Sequence, residues 1–284
     1  MKLVKFVTLL IALILTSTVS RTQTIKQAQE LYENGLIASE SNRFDDALKY
    51  FLKALESAPE SVVLWNHLGI AYSRLGERGE ALKAYRQAVA VAPYNAIAHY
   101  NLGNALYHTE DLKGAAEELQ LAIKLHPGFK EASLDLGAVQ IELREFIGAE
   151  QSFERAIICD PLSTAAHRGL AMALHKQGKT NEAVTEYLTL LTIDPDDAEM
   201  QNNLGVAYQT LGKRSLAAER YSRATELKPD YAEAHYNSGI LALELNRSDL
   251  ALRQYAVLKK LNSGRALEFY RVMNAGRVLV ASKD

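Results

Sequence analysis

All six prolines of this chain lie 34 residues apart, at Pro59, Pro93, Pro127, Pro161, Pro195 and Pro229. A spacing held without slippage over so many copies identifies a repeat array, since a single globular core gives proline no reason to recur at one interval. This period is the length of a helix-turn-helix unit, which cannot bury its apolar face alone and stacks on neighbours. Function is therefore expected on a long surface, not in one pocket.

Blocks ending two residues past each proline start at Ala28, Val62, Ala96, Lys130, Thr164, Ala198 and Ala232. They abut without insertion or deletion as 28–61, 62–95, 96–129, 130–163, 164–197, 198–231 and 232–265. The twentieth slot is alanine throughout (Ala47, Ala81, Ala115, Ala149, Ala183, Ala217, Ala251), as expected where two helices come closest. The eighth is small throughout (Gly35, Gly69, Gly103, Gly137, Ala171, Gly205, Gly239). Glycine inside a helix costs about 1 kcal/mol relative to alanine, so close packing must compensate. Slots four, seven, eight and eleven, such as Trp65, Leu68, Gly69 and Tyr72, form one helical stripe. A second stripe joins the slot-twenty alanine to an aromatic or leucine and then a small residue, as in Ala149, Phe153 and Ala156. Between the stripes, slot fifteen is Asn42, Gly76, Gly178, Gly212 or Asn246 in five units, which suits a left-handed residue ending helix A. Each unit thus reads as helix A, tight turn, helix B and a proline restart.

Trp65, Leu68, Gly69, Tyr72, Ala81, Tyr85, Ala88 and Pro93 carry a resemblance to the tetratricopeptide repeat family, whose pattern is W-x2-L-G-x2-Y, then A-x3-F, then P. The resemblance covers 28–265 and implies an all-α fold, a right-handed α-α superhelix. The end units depart from the pattern: the first has Leu31, Asn34 and Ala38 on helix A, and the last has Ser263 in the proline slot. Terminal units have one neighbour each, so departures fit there. Past the array, Arg265 to Met273 reads as one more amphipathic helix covering the open end, so 266–284 is expected to be a capping helix stopping at Gly276 with Arg277 to Asp284 as a tail.

Ahead of the array, Lys2 and Lys5 precede the apolar run Phe6 to Leu15 and the small polar run Thr16 to Ser20. Residues 1–20 read as a secretory signal cleaved at Ser20-Arg21, with 21–27 as a lead-in, so the protein is expected to be exported, periplasmic or secreted. The rival reading is an uncleaved anchor facing outside, although the apolar core falls short of the roughly 20 residues that span a bilayer. A membrane partner is expected only in that case. Losing Lys2 and Lys5 leaves 30 basic side chains against 34 acidic ones, intermixed along the helices. Nucleic acid, which calls for a basic face, is not expected as a partner.

Cys159 is the only cysteine, so no internal disulfide is possible, and its mostly apolar slot predicts a buried structural thiol. His99, His167 and His235 occupy the slot of Trp65 and are read as packing residues. His67, His108 and His175 fall on the presumed inner face without ligand spacing such as H-E-x-x-H, and no metal or cofactor is expected. No nucleophile elbow, phosphate loop or dinucleotide fingerprint is present, and Asp45-Asp46 and Asp196-Asp197 sit near turns as helix caps or solvated faces. The chain is read as no enzyme.

The resemblance places a concave binding face on helix A. Its candidate peptide-binding residues here are Tyr32, Asn66, Tyr100, Asn101, Asn104, Tyr107, Asn202, Asn203, Tyr236 and Asn237, interrupted by Asp135 and Gly169. A row of carboxamides can hold both N–H and C=O of an extended peptide, with tyrosines adding apolar area and a polar tip. The competing explanation is that asparagine tolerates a solvated helix face. The chaperone carboxylate clamp of another family branch is not met: the one basic fifth-slot residue is Arg168, followed by Met172 and, two units on, Glu233. The resulting expectation is a protein-binding scaffold, in envelope or secretion assembly by family analogy. The alternatives are a substrate-selecting arm for a separate enzyme and a membrane-tethered spacer.

Overall fold

A computed structural model describes residues 25–281, with side chains as far as Asn274. The expected signal, its junction and the rival anchor lie outside the described residues. These fall into two compact units, divided between Leu143 and Arg144. The first holds α1 (25–40), α2 (Phe44–Ser57), α3 (Val62–Arg74), α4 (Arg78–Val91), α5 (Ala96–His108), α6 (Leu112–Leu125) and α7 (Lys130–Glu142). The second holds α8 (Phe146–Cys159), α9 (Thr164–Lys176), α10 (Thr180–Ile193), α11 (Ala198–Thr210), α12 (Arg214–Leu227), α13 (Ala232–Glu244), α14 (Ser248–Lys260) and α15 (Gly264–Ala281). No strand occurs among the described residues. From α3 to α14, odd-numbered helices begin at slot one and even-numbered ones at slot seventeen.

Local chemistry explains the element ends. The turn between A and B helices is left-handed at all seven slots fifteen: Asn42, Gly76, Glu110, Arg144, Gly178, Gly212 and Asn246. Glu110 at φ 65° and Arg144 at φ 62° hold this conformation without the residue types that favour it. Ser61, Asn95, Ser163 and Asp197 start A helices by accepting from backbone N–H groups two or three residues on. Asp197 is thus a cap as expected, while Asp196 pairs with Arg223 at 2.7 Å and Asp46 with Lys49 at 3.1 Å.

A side chain in slot four closes the restart between repeats at five of the six prolines; at Pro127 that slot is Ser133, whose hydroxyl donates to the Phe129 carbonyl at 3.2 Å instead. Trp65 Nε1 donates to the Pro59 carbonyl at 2.8 Å, and Gln201 Nε2 to that of Pro195 at 3.1 Å. His99, His167 and His235 place Nε2 2.9, 3.1 and 3.0 Å from the carbonyls of Pro93, Pro161 and Pro229. Their Nδ1 atoms face Glu118, Glu186 and Gln254 of the following B helix. The three histidines therefore knit turn to helix pair, and packing alone understates their role.

Packing follows the small-residue slots. All seven slot-twenty alanines are buried. A Cβ built on Gly205 would meet the Tyr221 ring at 2.6 Å, and one on Gly103 would meet Leu119 at 2.9 Å, so the A helix can approach its B helix only because that atom is missing. In the first unit two apolar clusters run from Ala38 to Ala84 and from Ala81 to Val139. In the second, Phe269 of α15 is fully buried with Leu258, Ala242 and Ala251, capping the last repeat.

Two expectations are corrected. Cys159 is exposed, because the last residue of α8 lies beyond the buried stripe marked by Ala149, Phe153 and Ala156. The capping helix does not stop at Gly276 but continues to Ala281, since one internal glycine weakens a helix by about 1 kcal/mol without terminating it.

Candidate functional site

The A helices place their fifth and sixth slots side by side from one repeat to the next, so residues 35 apart meet. In the first unit, Tyr32 Oη lies 3.1 Å from His67 Nε2, and Asn101 Nδ2 donates to Asn66 Oδ1 at 3.0 Å. In the second, Asn237 Nδ2 donates to Asn202 Oδ1 at 2.9 Å. A parallel rung joins slots twelve and thirteen, where Tyr107 donates to Glu142 and Gln209 to Glu244 at 2.8 Å. Buried Tyr221 extends the latter by donating to Gln209 Oε1 at 2.8 Å. Asparagine thus recurs on this face for a reason absent from composition: it couples neighbouring repeats.

The candidate residues divide accordingly. Asn66 and Asn202 are 8% and 2% exposed, with their carbonyl oxygens taken by the next repeat. Tyr32, Tyr100, Asn101, Asn104, Tyr107, Asn203, Tyr236 and Asn237 are half-buried. Tyr236 is engaged by the cap: it donates to Glu268 at 3.1 Å, meets Phe269 edge-on at 5.8 Å and carries Arg265 over its ring at 4.8 Å.

The residues brought together in a formed concavity belong to the first unit. Asn104, Tyr107, His108, Asp135, Ala138 and Val139 line a groove of about 220 Å³. Burial, aided by the adjacent Asp135 carboxylate, pushes the Tyr100 hydroxyl up to about 12, so Tyr100 is a neutral phenol in any physiological medium. His67 is pushed down from its usual value by burial, consistent with a neutral ring stacked 5.6 Å from Phe51. Asp135, read from the sequence as an interruption, is instead a lining residue. Beside it, a second groove of about 350 Å³ is lined by Ser73, Arg74, Arg78, Ala81, Ala105 and His108. Sequence reasoning missed Arg74 and Arg78, which straddle the α3–α4 turn and meet His108 only when repeats stack.

In the second unit Arg168 bridges Asp197 at 3.2 Å and Glu199 at 3.5 Å, so the one basic fifth-slot residue is already neutralised. His175 keeps a buried Nδ1 without a partner, and burial with the neighbouring Lys176 lowers its pKa. Among the described residues no three His, Cys, Asp or Glu side chains are grouped to hold a metal, and no helix is long and apolar enough to cross a membrane.

Helix hairpins joined by left-handed turns, stapled at five of the six prolines and coupled through their A helices, define an all-α helical repeat protein. Models of the tetratricopeptide repeat match residues 32–77, 66–128 and 202–266, and a further TPR repeat model matches 171–212. The chain belongs to the tetratricopeptide repeat family. Among solved structures it is similar to YrrB, a TPR protein with an unusual peptide-binding site, at 26% identity over 65% of this chain and 95% of that one, with a TM-score of 0.61. It is also similar to MamA, at 25% identity over 61% and 95% with a TM-score of 0.56. A tetratricopeptide repeat protein from Parabacteroides merdae ATCC 43184 shares the fold at 19% identity over 87% and 98%, with a TM-score of 0.62. A search of curated proteins by sequence finds no match.

Proposed function

We propose that this protein is a non-catalytic scaffold that holds an extended stretch of a partner polypeptide against its A-helix face. The carrying observation is the first-unit groove, where half-buried Asn104 and Tyr107 stand beside Asp135 around about 220 Å³ of open space. Such a site offers carboxamide and phenol partners for a peptide backbone, with the Tyr107 and His108 rings and the apolar Ala138 and Val139 beside it. Similarity to a TPR protein with a peptide-binding site supports the reading. The leader pattern of Lys2 to Ser20 supports export, and with it a partner in envelope or secretion assembly.

A photo-crosslinking residue at exposed Ala138, inside the groove, is expected to capture a partner that the same residue at exposed Glu117, on the B helix α6, does not. Mass spectrometry identifies the captured protein and its compartment. Equal capture from both positions, or capture from Glu117 alone, would place the binding surface elsewhere. The mass of the mature chain tests export: loss of Met1 to Ser20 is expected, and its retention refutes cleavage.

A further inference from the structure

His108 lines both first-unit grooves, and the charges on either side of it are opposite in sign. We propose that the two grooves form one bipolar track for an extended polypeptide segment bearing an acidic and a basic side chain about six residues apart. The acidic side chain seats at Arg74 and Arg78, and the basic one at Asp135. This rests on the reading that the A-helix face holds polypeptide, and adds which sequence it selects.

The charges are available. Many arginines of this protein are committed: Arg43 to Asp46, Arg168 to Asp197 and Glu199, Arg223 to Asp196 and Glu226, and Arg265 to Glu233 and Glu268. Arg74 and Arg78 make no ion pair among the described residues, and the nearby Glu80 is held by Lys83 at 2.6 Å. Two guanidinium groups lining one groove offer the forked donors that suit a carboxylate. Asp135 makes no ion pair among the described residues, and its hydrogen bond with the neutral Tyr100 hydroxyl leaves its charge uncompensated. It is half-buried between Asn104, Tyr107 and Val139, where its field is less screened than at an open surface. A lysine or arginine entering there meets the carboxylate together with a tyrosine ring, adding a cation–π contribution.

The spacing follows from the fold. Arg74 ends α3, His108 ends α5 and Asp135 lies in α7, three successive A helices. Packed helices lie about 8–10 Å apart, so two steps span roughly 16–20 Å, and the seven-slot offset along the axes between Arg74 and Asp135 lengthens this to roughly 19–23 Å. An extended chain rises about 3.3 Å per residue, giving about six residues. Polyanions such as nucleic acid or an anionic lipid surface are disfavoured, because Asp135 and Glu142 would face their phosphates. A segment of uniform charge gains at one end and is repelled at the other.

The test uses the full chain and fluorescein-labelled twelve-residue peptides on one uncharged background, read by anisotropy. The peptides carry glutamate and lysine six apart, the same pair reversed, glutamate alone, lysine alone, or neither. One order of the pair is expected to bind about tenfold more tightly than the uncharged peptide, and each single charge about threefold, in line with partly exposed ion pairs. Arg74→Ser with Arg78→Ser should remove the glutamate gain alone, and Asp135→Asn the lysine gain alone, with helical content unchanged. Equal binding of all five peptides overturns the track while leaving polypeptide binding intact. Charge gains that survive these substitutions also overturn the track. No binding by any peptide overturns both readings.

Discussion

Replacing Asn237 by alanine should destabilise the second unit more than replacing its partner. The Asn237 carboxamide donates to Asn202 Oδ1 at 2.9 Å, and Asn202 is 2% exposed, whereas Asn237 is half-buried and can turn to solvent. Asn237→Ala therefore leaves a buried acceptor unsatisfied, costing about 1–3 kcal/mol. Asn202→Ala removes that acceptor together with its desolvation penalty and costs about 1 kcal/mol, close to the net worth of one hydrogen bond. The double variant should match Asn202→Ala alone, so the coupling in a double-mutant cycle equals the Asn237→Ala cost, about 1–3 kcal/mol. Urea unfolding followed by circular dichroism measures each corner, with unchanged m-values required, since cooperativity in repeat arrays can fail. Additive effects, or an Asn237→Ala cost below about 0.5 kcal/mol, would refute the claim that these asparagines couple repeats.

Glu110→Gly should stabilise the first unit by about 0.5–1 kcal/mol: the left-handed conformation costs an L-residue roughly 1–2 kcal/mol, part of which glycine returns as chain entropy. A lower urea midpoint would count against it. Lowering the pH should weaken the first unit through His67. Its folded pKa lies below the usual 6.5, so the unfolded chain takes up the proton first, and stability present above 6.5 is lost as pH falls through the depressed folded value. His67→Asn should flatten that part of the profile, and an unchanged slope between pH 7 and pH 5 would exclude His67 as its source. Tyr107→Phe removes the hydrogen bond to half-exposed Tyr107's partner Glu142 at the surface, so it should shift stability by under about 1 kcal/mol in thermal melts.

Much of the scaffold was legible because it repeats. The slot-twenty alanines and slot-eight glycines announce close helix approach in the sequence itself, and the structure supplies the rings they meet. Slot fifteen was legible only where Asn or Gly stood in it. Arg144 adopts the same backbone at its own turn, and Glu110 does so because the packed α5–α6 pair on either side imposes it, a tertiary constraint that residue type does not record. Cys159 misled because an apolar slot was equated with a buried one, although the end of a B helix lies past the packed stripe. On the candidate face, the asparagines could be placed but not apportioned. Whether Asn66 faces a ligand or Asn101 depends on how one repeat is rotated onto the next, and helical periodicity within a repeat is blind to that rotation.

The staple between slot four and the proline carbonyl spans only six residues, so five of the six proline junctions carry their own geometry within a short stretch of chain. Excising residues 62–95 would join Ser61 to Ala96 and leave His99 the same distance in sequence from Pro59 as Trp65 now stands. The new joint would inherit a donor for that carbonyl without any further change. A gene encoding such cassettes can lengthen or shorten by whole repeats at little risk to the joints. The rung across the face would instead be rewritten, with Tyr32 brought opposite Asn101 in place of His67. Gain or loss of a repeat would thus conserve the frame while reshuffling the surface that meets a partner.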